Sequence, residues 1–254
     1  MDVQTESGLQ LDRAAPREGA PSGVSISFGG EAFVLLASRA AYWTEARTLL
    51  VADLHLGKGE ALRAGGAPMP GSVLRGDVQE QLNRLEDAIN RCGARRVMVL
   101  GDLLHAPEGL DEAMVAQVER RFVAWRTVGV CVCIVPGNHD RKLDRVSGRW
   151  CVQTLAPEYH ERGLTFQHAP PTKAQRPTWC GHVHPVVRIR GGGDSLKLPC
   201  FAFQGGRSQG GAGVAILPAF TGFSSGAALD PRTLDAAYAI AGERVLLIAP
   251  HARG

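Results

Sequence analysis

The chain has 254 residues, of which 44% are hydrophobic: enough apolar mass for one sizeable core, in a length that commonly remains one domain. Its formal charge of +3 is compatible with a polyanionic partner but far below the charge density of a protein that coats DNA. There is no run of about 18 apolar residues and no early apolar stretch resembling a secretory signal, so a soluble, cytoplasmic protein without membrane association is expected.

Residues 1–24 are rich in polar residues, Gly and Pro and lack any periodicity that would bury a face, which predicts a flexible N-terminal arm followed by a single domain over residues 25–254. Residues 25–38, SISFGGEAFVLLAS, read as two strands joined at Gly29 and Gly30 in a hairpin. Residues 49–55, LLVADLH, form an apolar run ending in polar groups, as in a buried strand that delivers side chains at its carboxyl tip. A Gly/Pro-rich loop at residues 65–71 precedes a helical stripe of Val73, Val78, Leu82, Leu85 and Ile89, with Ser72 as its N-cap and Gly93 beyond its end. The pattern repeats as strand 95–102, helix 111–127 and strand 130–138. Such alternation predicts βαβ units, a largely parallel sheet and a ligand site at the carboxyl ends of its strands.

After Asp140 the character changes. The pieces LTFQH, TWCGHVH, VVRIR, LKLPCFAF and GVAILPAF carry little helical signal and predict a second, mixed or antiparallel sheet, with ERVLLIAP as one more strand. The six cysteines, Cys92, Cys131, Cys133, Cys151, Cys180 and Cys200, lie mostly in apolar runs and read as buried thiols; Cys131 and Cys133, two apart on a strand, should face the same side. Trp179, Phe201 and Phe203 read as core residues, and His160 and His251 as surface residues.

Five polar clusters each end or follow an apolar strand: Asp53-Leu54-His55, Gly101-Asp102, Gly137-Asn138-His139-Asp140, His168, and Gly181-His182-Val183-His184. They hold five of the chain's eight histidines, a concentration that scattered surface histidines would not show. Carboxylate, imidazole and amide oxygen suit Mn²⁺, Fe or Zn²⁺, and the lack of a thiol in any cluster argues against a structural zinc site. On extended backbone, residues two apart face one side, so Asp-x-His and His-x-His would each present both side chains to one place. Gly101 and Gly181 allow close backbone approach, and Pro136 with Gly137 serves the turn that delivers Asn138 and His139.

This motif order, D-x-H, GD, GNH(D/E), H and GH-x-H, resembles that of the calcineurin-like metallophosphoesterase superfamily over about residues 45–205. The resemblance implies a four-layer αββα sandwich of two mixed sheets with two divalent metal ions at its rim, Mn²⁺ being expected and Fe or Zn²⁺ being alternatives. It also implies that Asp53, His55 and His184 ligate one metal, that Asn138, His168 and His182 ligate the other, that Asp102 bridges them, and that His139 is an outer-sphere catalytic histidine. The strings ADLHLGK, GDLLH and PGNHD look like the SbcD-type nuclease branch. ADLHLGKGEALRAGGAPMPG with LPAF resembles more narrowly the bacterial PdeM group of ligase-associated DNA damage response endonucleases. What that narrower likeness implies is a single-stranded DNA substrate and DNA-repair partners including a ligase-associated set.

His105 stands where many phosphatases of the superfamily carry an acidic residue, which would raise the pKa of His139 by pairing with it; its absence is consistent with a diesterase, and His105 is given a role in substrate contact. Two cations about 3.5–4 Å apart would neutralise phosphate oxygens and lower the pKa of a water between them, while His139 stabilises the developing charge or protonates the departing oxygen. Asp140 either orients His139 or caps the turn. Lys58 and Arg63, in the loop of residues 57–71, and Arg141, Lys142, Arg145 and Arg149, after GNHD, are candidate phosphate contacts, with a solvated basic face as the alternative reading of the latter four. Two rival functions are a phosphatase or small-nucleotide phosphodiesterase on the same scaffold, and a catalytically silent scaffold in a repair complex.

Overall fold

The computed structural model describes residues 22–66, 71–106, 110–191, 194–206, 212–222, 224 and 226–248. Most of the expected N-terminal arm, residues 1–21, and His251 lie outside them. The expected hairpin is present as β1 (Val24–Phe28) and β2 (Glu31–Leu36), paired antiparallel. Gly29 and Gly30 have φ of 62° and 80°, the left-handed pair that a tight two-residue hairpin turn requires. β3 (Ala40–Trp43) follows antiparallel, and then β4 (Thr48–Val51), β5 (Arg96–Leu100), β6 (Cys131–Val135) and β7 (Val152–Thr154) run parallel. The strands lie side by side in chain order.

The crossovers are α2 (Gly71–Cys92) between β4 and β5, and α3 (Glu112–Thr127) between β5 and β6. Asp111 caps α3 by accepting from the Met114 amide at 2.8 Å. α2 begins at Gly71, so Ser72 lies in its first turn and not at its cap; periodicity locates a helix but not its end to one residue. Of two seven-residue helices, α1 (Lys58–Ala64) has no counterpart in the sequence reading and α4 (Asp144–Trp150) is anticipated only in the alternative of a solvated basic helix face, since two turns are too short to display a helical period.

The second sheet is mixed, as expected. Its main path runs β14 (Ala227–Ala228), β11 (Pro185–Gly191), β12 (Asp194–Gln204), β13 (Val214–Ile216), β10 (Thr178–Cys180), β9 (Leu164–Gln167), β8 (Glu158–Glu161). β15 (Ala236–Ala241) pairs with β12 and carries β16 (Arg244–Ile248). The alanine-rich β15 gives little strand signal in sequence and forms because its small side chains fit a crowded, fully paired position.

The two sheets close on an aromatic core, with Trp179 at 4.9 Å from Phe33 and 5.5 Å from Phe28 between ring centroids. Trp179, Phe201 and Phe203 are core residues here, and His160 is exposed, as read from sequence. α2, α3 and α4 cover the outer face of the first sheet through Leu82, Leu85, Val118, Phe122 and Trp150. The outer face of the second sheet is covered otherwise: Leu229 and Leu234, flanking a single 3-10 turn (Pro231–Thr233), pack on Cys200, Ala202 and Ala239. Among the described residues the helical layer of the sandwich is thus one-sided.

All six cysteines are free. Burial pushes the thiols of Cys133 and Cys200 up to about 12, which keeps them inert. Cys131 differs from the expectation of a buried thiol and is exposed, because it opens β6 at the edge of the core. No helix among the described residues is long and apolar enough to cross a membrane.

Candidate metal centre

The parallel strands β4, β5 and β6 end at one rim of the sandwich, and β9 and β10 of the second sheet end beside them. The loops leaving these five tips carry all five polar clusters. Their backbone is not the extended chain expected from sequence. Asp53, His55, Asp102, His182 and His184 have φ between 49° and 69°, and they are five of only nine described non-glycine residues in the left-handed region. Such a backbone costs about 1–3 kcal/mol per residue and survives where surroundings over-determine it. Here the loops lock each other: Asp53 N donates to the Gly101 carbonyl at 3.1 Å and His55 N to that of Asp102 at 2.8 Å.

A buttress that sequence reasoning missed is formed by residues 217–221. Phe220 N donates to the Ala52 carbonyl at 2.8 Å and Thr221 N to that of Asp53 at 3.2 Å. The Arg84 guanidinium donates to the Phe220 carbonyl and lies 4.4 Å from the centre of its ring, while Arg39 donates to the Ala219 carbonyl at 3.3 Å. The LPAF string therefore holds the Asp53 loop in place.

The donors converge in two groups. In one, His184 Nε2 lies 3.2 Å from Asp53 Oδ1 and 3.4 Å from His55 Nε2. In the other, His168 Nε2 lies 3.0 Å from Asn138 Oδ1, 3.1 Å from His182 Nδ1 and 3.2 Å from Asp102 Oδ2. Asp102 Oδ2 is also 3.9 Å from His55 Nε2, so one carboxylate oxygen faces both groups. Each group brings its acids and imidazoles within 4.8 Å of one another, and a third set, His55, His105 and His139, meets the same limit.

Several observations fit the donors to divalent cations. Asp53 Oδ1 is buried with no hydrogen-bond partner, although Oδ2 accepts from His182 N at 2.9 Å. His168 Nδ1–H donates to the Leu100 carbonyl at 2.9 Å, and His184 Nδ1 bonds Ser224 Oγ at 2.6 Å, which turns each Nε2 toward its group. Burial lowers His55 to about 3, leaving a neutral ring with a lone pair to offer. At His168 burial acts downward but Asp102 outweighs it and raises the pKa, so the proton it would take occupies a cation's place. Metal–ligand bonds of about 2.0–2.2 Å set neighbouring ligand atoms roughly 3–3.6 Å apart, the spacing found here.

Glycine makes this convergence possible. A Cβ on Gly101 would lie 2.2 Å from His168 Nδ1, and one on Gly181 would lie 2.7 Å from Asp53 Oδ2. A Cβ on Gly137 would meet Asp102 Oδ1 at 2.3 Å and its amide nitrogen at 2.5 Å. Gly137→Ala is therefore expected to destabilise the fold by about 1–3 kcal/mol and to weaken metal binding at least tenfold. Thermal unfolding with metal titration checks this; unchanged affinity would show that Asp102 tolerates displacement.

A model of the calcineurin-like phosphoesterases matches residues 46–202, more than half of the chain. The chain belongs to the calcineurin-like phosphoesterase family. It is a metal-dependent phosphoester hydrolase. Among solved structures it is similar to the Pseudomonas putida nuclease MPE, at 31% identity and a TM-score of 0.72, covering 88% of this chain and 98% of that one. It also matches YfcE, a phosphoesterase from E. coli, at 15% identity and a TM-score of 0.37, over 80% of this chain and 99% of that one. A search of curated proteins finds no match.

Beside the donor groups of this phosphoesterase stands His139. Its amide donates to Asp102 Oδ1 at 2.9 Å, its Nδ1–H donates to the His105 carbonyl at 2.6 Å, and its ring stacks on that of His105 at 5.3 Å. With Nδ1 so occupied, Nε2 is the ring nitrogen left available. His105 thus contributes through its carbonyl. Its own imidazole, lowered by burial and by the Lys58 and His139 charges, stays neutral at pH 7.

Asp140 takes the second of its two expected roles. Its carboxylate accepts from the amides of Asp102 and Gly137, each at 2.8 Å, and of Leu104 at 3.0 Å, tying the β5 and β6 loops together. It bonds these three amides instead of orienting His139.

The basic residues divide. Lys58 opens α1 directly after the Asp53 loop and acts electrostatically on His55 and His105, whereas Arg63 is exposed at the far end of α1. Arg141 is exposed and Lys142 half-buried beyond the GNHD turn, and Arg145 is exposed. Arg149 is occupied by Glu112 at 2.9 Å and Glu119 at 2.6 Å, so it belongs to the solvated face of α3 and α4 and not to a phosphate stripe.

Proposed function

We propose that this protein is a two-metal phosphodiesterase, a DNA endonuclease that cuts single-stranded DNA in DNA repair. The observation that carries the reading is the pair of donor groups sharing Asp102, with His139 alongside and a backbone carbonyl instead of a carboxylate behind its ring. The likeness to a solved nuclease supports the nucleic-acid substrate. Asp53, His55 and His184 would hold one cation and Asn138, His168 and His182 the other, with Asp102 shared between the two groups. Mn²⁺ is the proposed cofactor, since hard oxygen donors mixed with imidazole accept it, with Fe or Zn²⁺ decided by availability. When bound, the cations neutralise phosphate oxygens and supply an activated water.

The residues of the chain do the rest. In its imidazolium form, with Nδ1–H held by the His105 carbonyl, His139 presents Nε2–H to the reacting phosphate and gives that proton to the departing oxygen. Lys58 adds positive charge at the mouth of the site, and Arg63, Arg141 and Lys142 extend it toward the strand. We place this activity in the cytoplasm, in one domain over residues 25–254, alongside a ligase-associated set of repair proteins.

Assay of the Mn²⁺-loaded protein on circular single-stranded DNA, bis-p-nitrophenyl phosphate and p-nitrophenyl phosphate tests the reading. Nicking of the circle and diester turnover well above monoester turnover are expected. Robust monoester turnover without nicking would make the protein a phosphatase. Absence of all cleavage, with His139→Ala leaving cellular function intact, would make it a scaffold.

A further inference from the structure

The β11–β12 hairpin reaches beyond the sheet that carries it. β12 pairs with β13 only as far as Ala202, opposite Ile216, and with β15 only as far as Cys200, while β14 covers β11 at Pro185 and Val186 alone. Past those points, among the described residues, Val187–Gly191 and Asp194–Leu198 pair only with each other; Val187 is still buried at the base, and from Arg188 and Lys197 outward the hairpin projects as a two-stranded ribbon. Such a ribbon is marginal by itself in water, which asks what it is for.

Register fixes its direction. Cys180, the last residue of β10 before the GHVH cluster, pairs with Ile216 and so lies level with Ala202. Residues of β12 before Ala202 therefore extend past the end of the sheet where His182 and His184 sit. Lys197 stands five residues farther out, about 17 Å at 3.4 Å per residue. Strand alternation places Lys197 on the same face as Phe201 and Phe203, which point into the core shared with Trp43 and Met98 of the first sheet. The face that bears Lys197 is thus the one turned toward the first sheet, beyond the rim that carries the donor groups.

Directly across the ladder from Lys197 is Arg188. Two like charges in facing positions repel, and among the described residues neither makes an ion pair, so the arrangement asks for an external anion. The opposite face carries the cross-strand pair Ile189 and Leu196, 44% and 58% exposed. A protruding ribbon with a basic face and an apolar pair is suited to a nucleic acid, which offers phosphates and unstacked bases together.

We propose that this ribbon is an arm that holds the single DNA strand as it leaves the metal centre, with Arg188 and Lys197 on successive phosphates and Ile189 and Leu196 beside the bases. The proposal rests on the DNA phosphodiesterase reading. The arm engages phosphates a few nucleotides from the cut.

The test is Arg188→Ala/Lys197→Ala, with Arg188→Glu/Lys197→Glu as the stronger variant, assayed on oligonucleotides of increasing length over a salt series. The KM for long single strands is expected to rise about tenfold, and the slope of log KM against log salt to fall by about 1.4, the value for two lost phosphate contacts. Kinetics on bis-p-nitrophenyl phosphate should be unchanged, which also shows the variants folded. Unaltered KM and salt slope on DNA that is still cut would overturn the arm while leaving the nuclease reading standing. A wild-type protein that cleaves the small diester but no DNA would remove both. A variant whose oligomeric mass changes while its DNA kinetics do not would make the ribbon an interface between copies, and the proposal would be wrong.

Discussion

Replacing Asp102 with alanine is expected to lower turnover of bis-p-nitrophenyl phosphate by about a thousandfold and to leave the protein with less than one tightly bound metal. The reasoning is geometric. Asp102 Oδ2 is within 3.2 Å of His168 Nε2 and 3.9 Å of His55 Nε2, so a single truncation removes a member of both donor groups. A thousandfold loss corresponds to about 4 kcal/mol of transition-state stabilisation, within the several kcal/mol that metal charge supplies to a phosphoryl oxygen. Oδ1 has a separate duty in accepting the His139 amide, so the alanine variant also releases that histidine.

Asp102→Asn separates the two effects, because the amide oxygen can still accept from His139 while the bridging negative charge is gone. Metal stoichiometry, measured with turnover for both variants, decides the matter. Two equivalents retained with full activity in either would refute the bridging role.

His139→Ala should behave differently. Metal content is expected to stay at the wild-type value, because the ring is held by the His105 carbonyl and stacked on the His105 ring, outside the two donor groups. Cleavage of DNA should fall by about 10²–10⁴-fold, the usual contribution of a positioned general acid. The loss on bis-p-nitrophenyl phosphate should be much smaller. Nitrophenolate leaves readily as an anion and needs no proton, whereas the sugar alkoxide left by a DNA strand does. Equal losses on both substrates would mean that His139 steadies charge on the phosphate without giving up a proton. DNA nicking at the wild-type rate would remove it from the reaction.

Much of this molecule is legible in its sequence. Apolar runs ending in Asp53, Asp102 and Asn138 announced parallel strands with a site at their tips, and these are β4, β5 and β6. The Gly29–Gly30 turn was readable because only glycine adopts two consecutive left-handed positions freely. The donor residues were readable because carboxylate, imidazole and amide in five ordered clusters have few other uses. Short or weakly patterned elements were not: α1 and α4 span too few turns to show a period, and the alanines of β15 carry almost no strand preference.

The sequence by itself determined which polar side chains stand at the strand tips and in what order the strands deliver them, since both follow from residue type and local pattern. Tertiary structure alone decided how they meet. The left-handed turns at Asp53, His55, Asp102, His182 and His184 are imposed by hydrogen bonds between loops far apart in the chain, and Asp140 spends its charge on those loops instead of on His139. The same holds for the Arg84 and Arg39 clamp on residues 219–221 and for the direction of the β11–β12 ribbon, which follow from pairing partners that no local window of sequence contains.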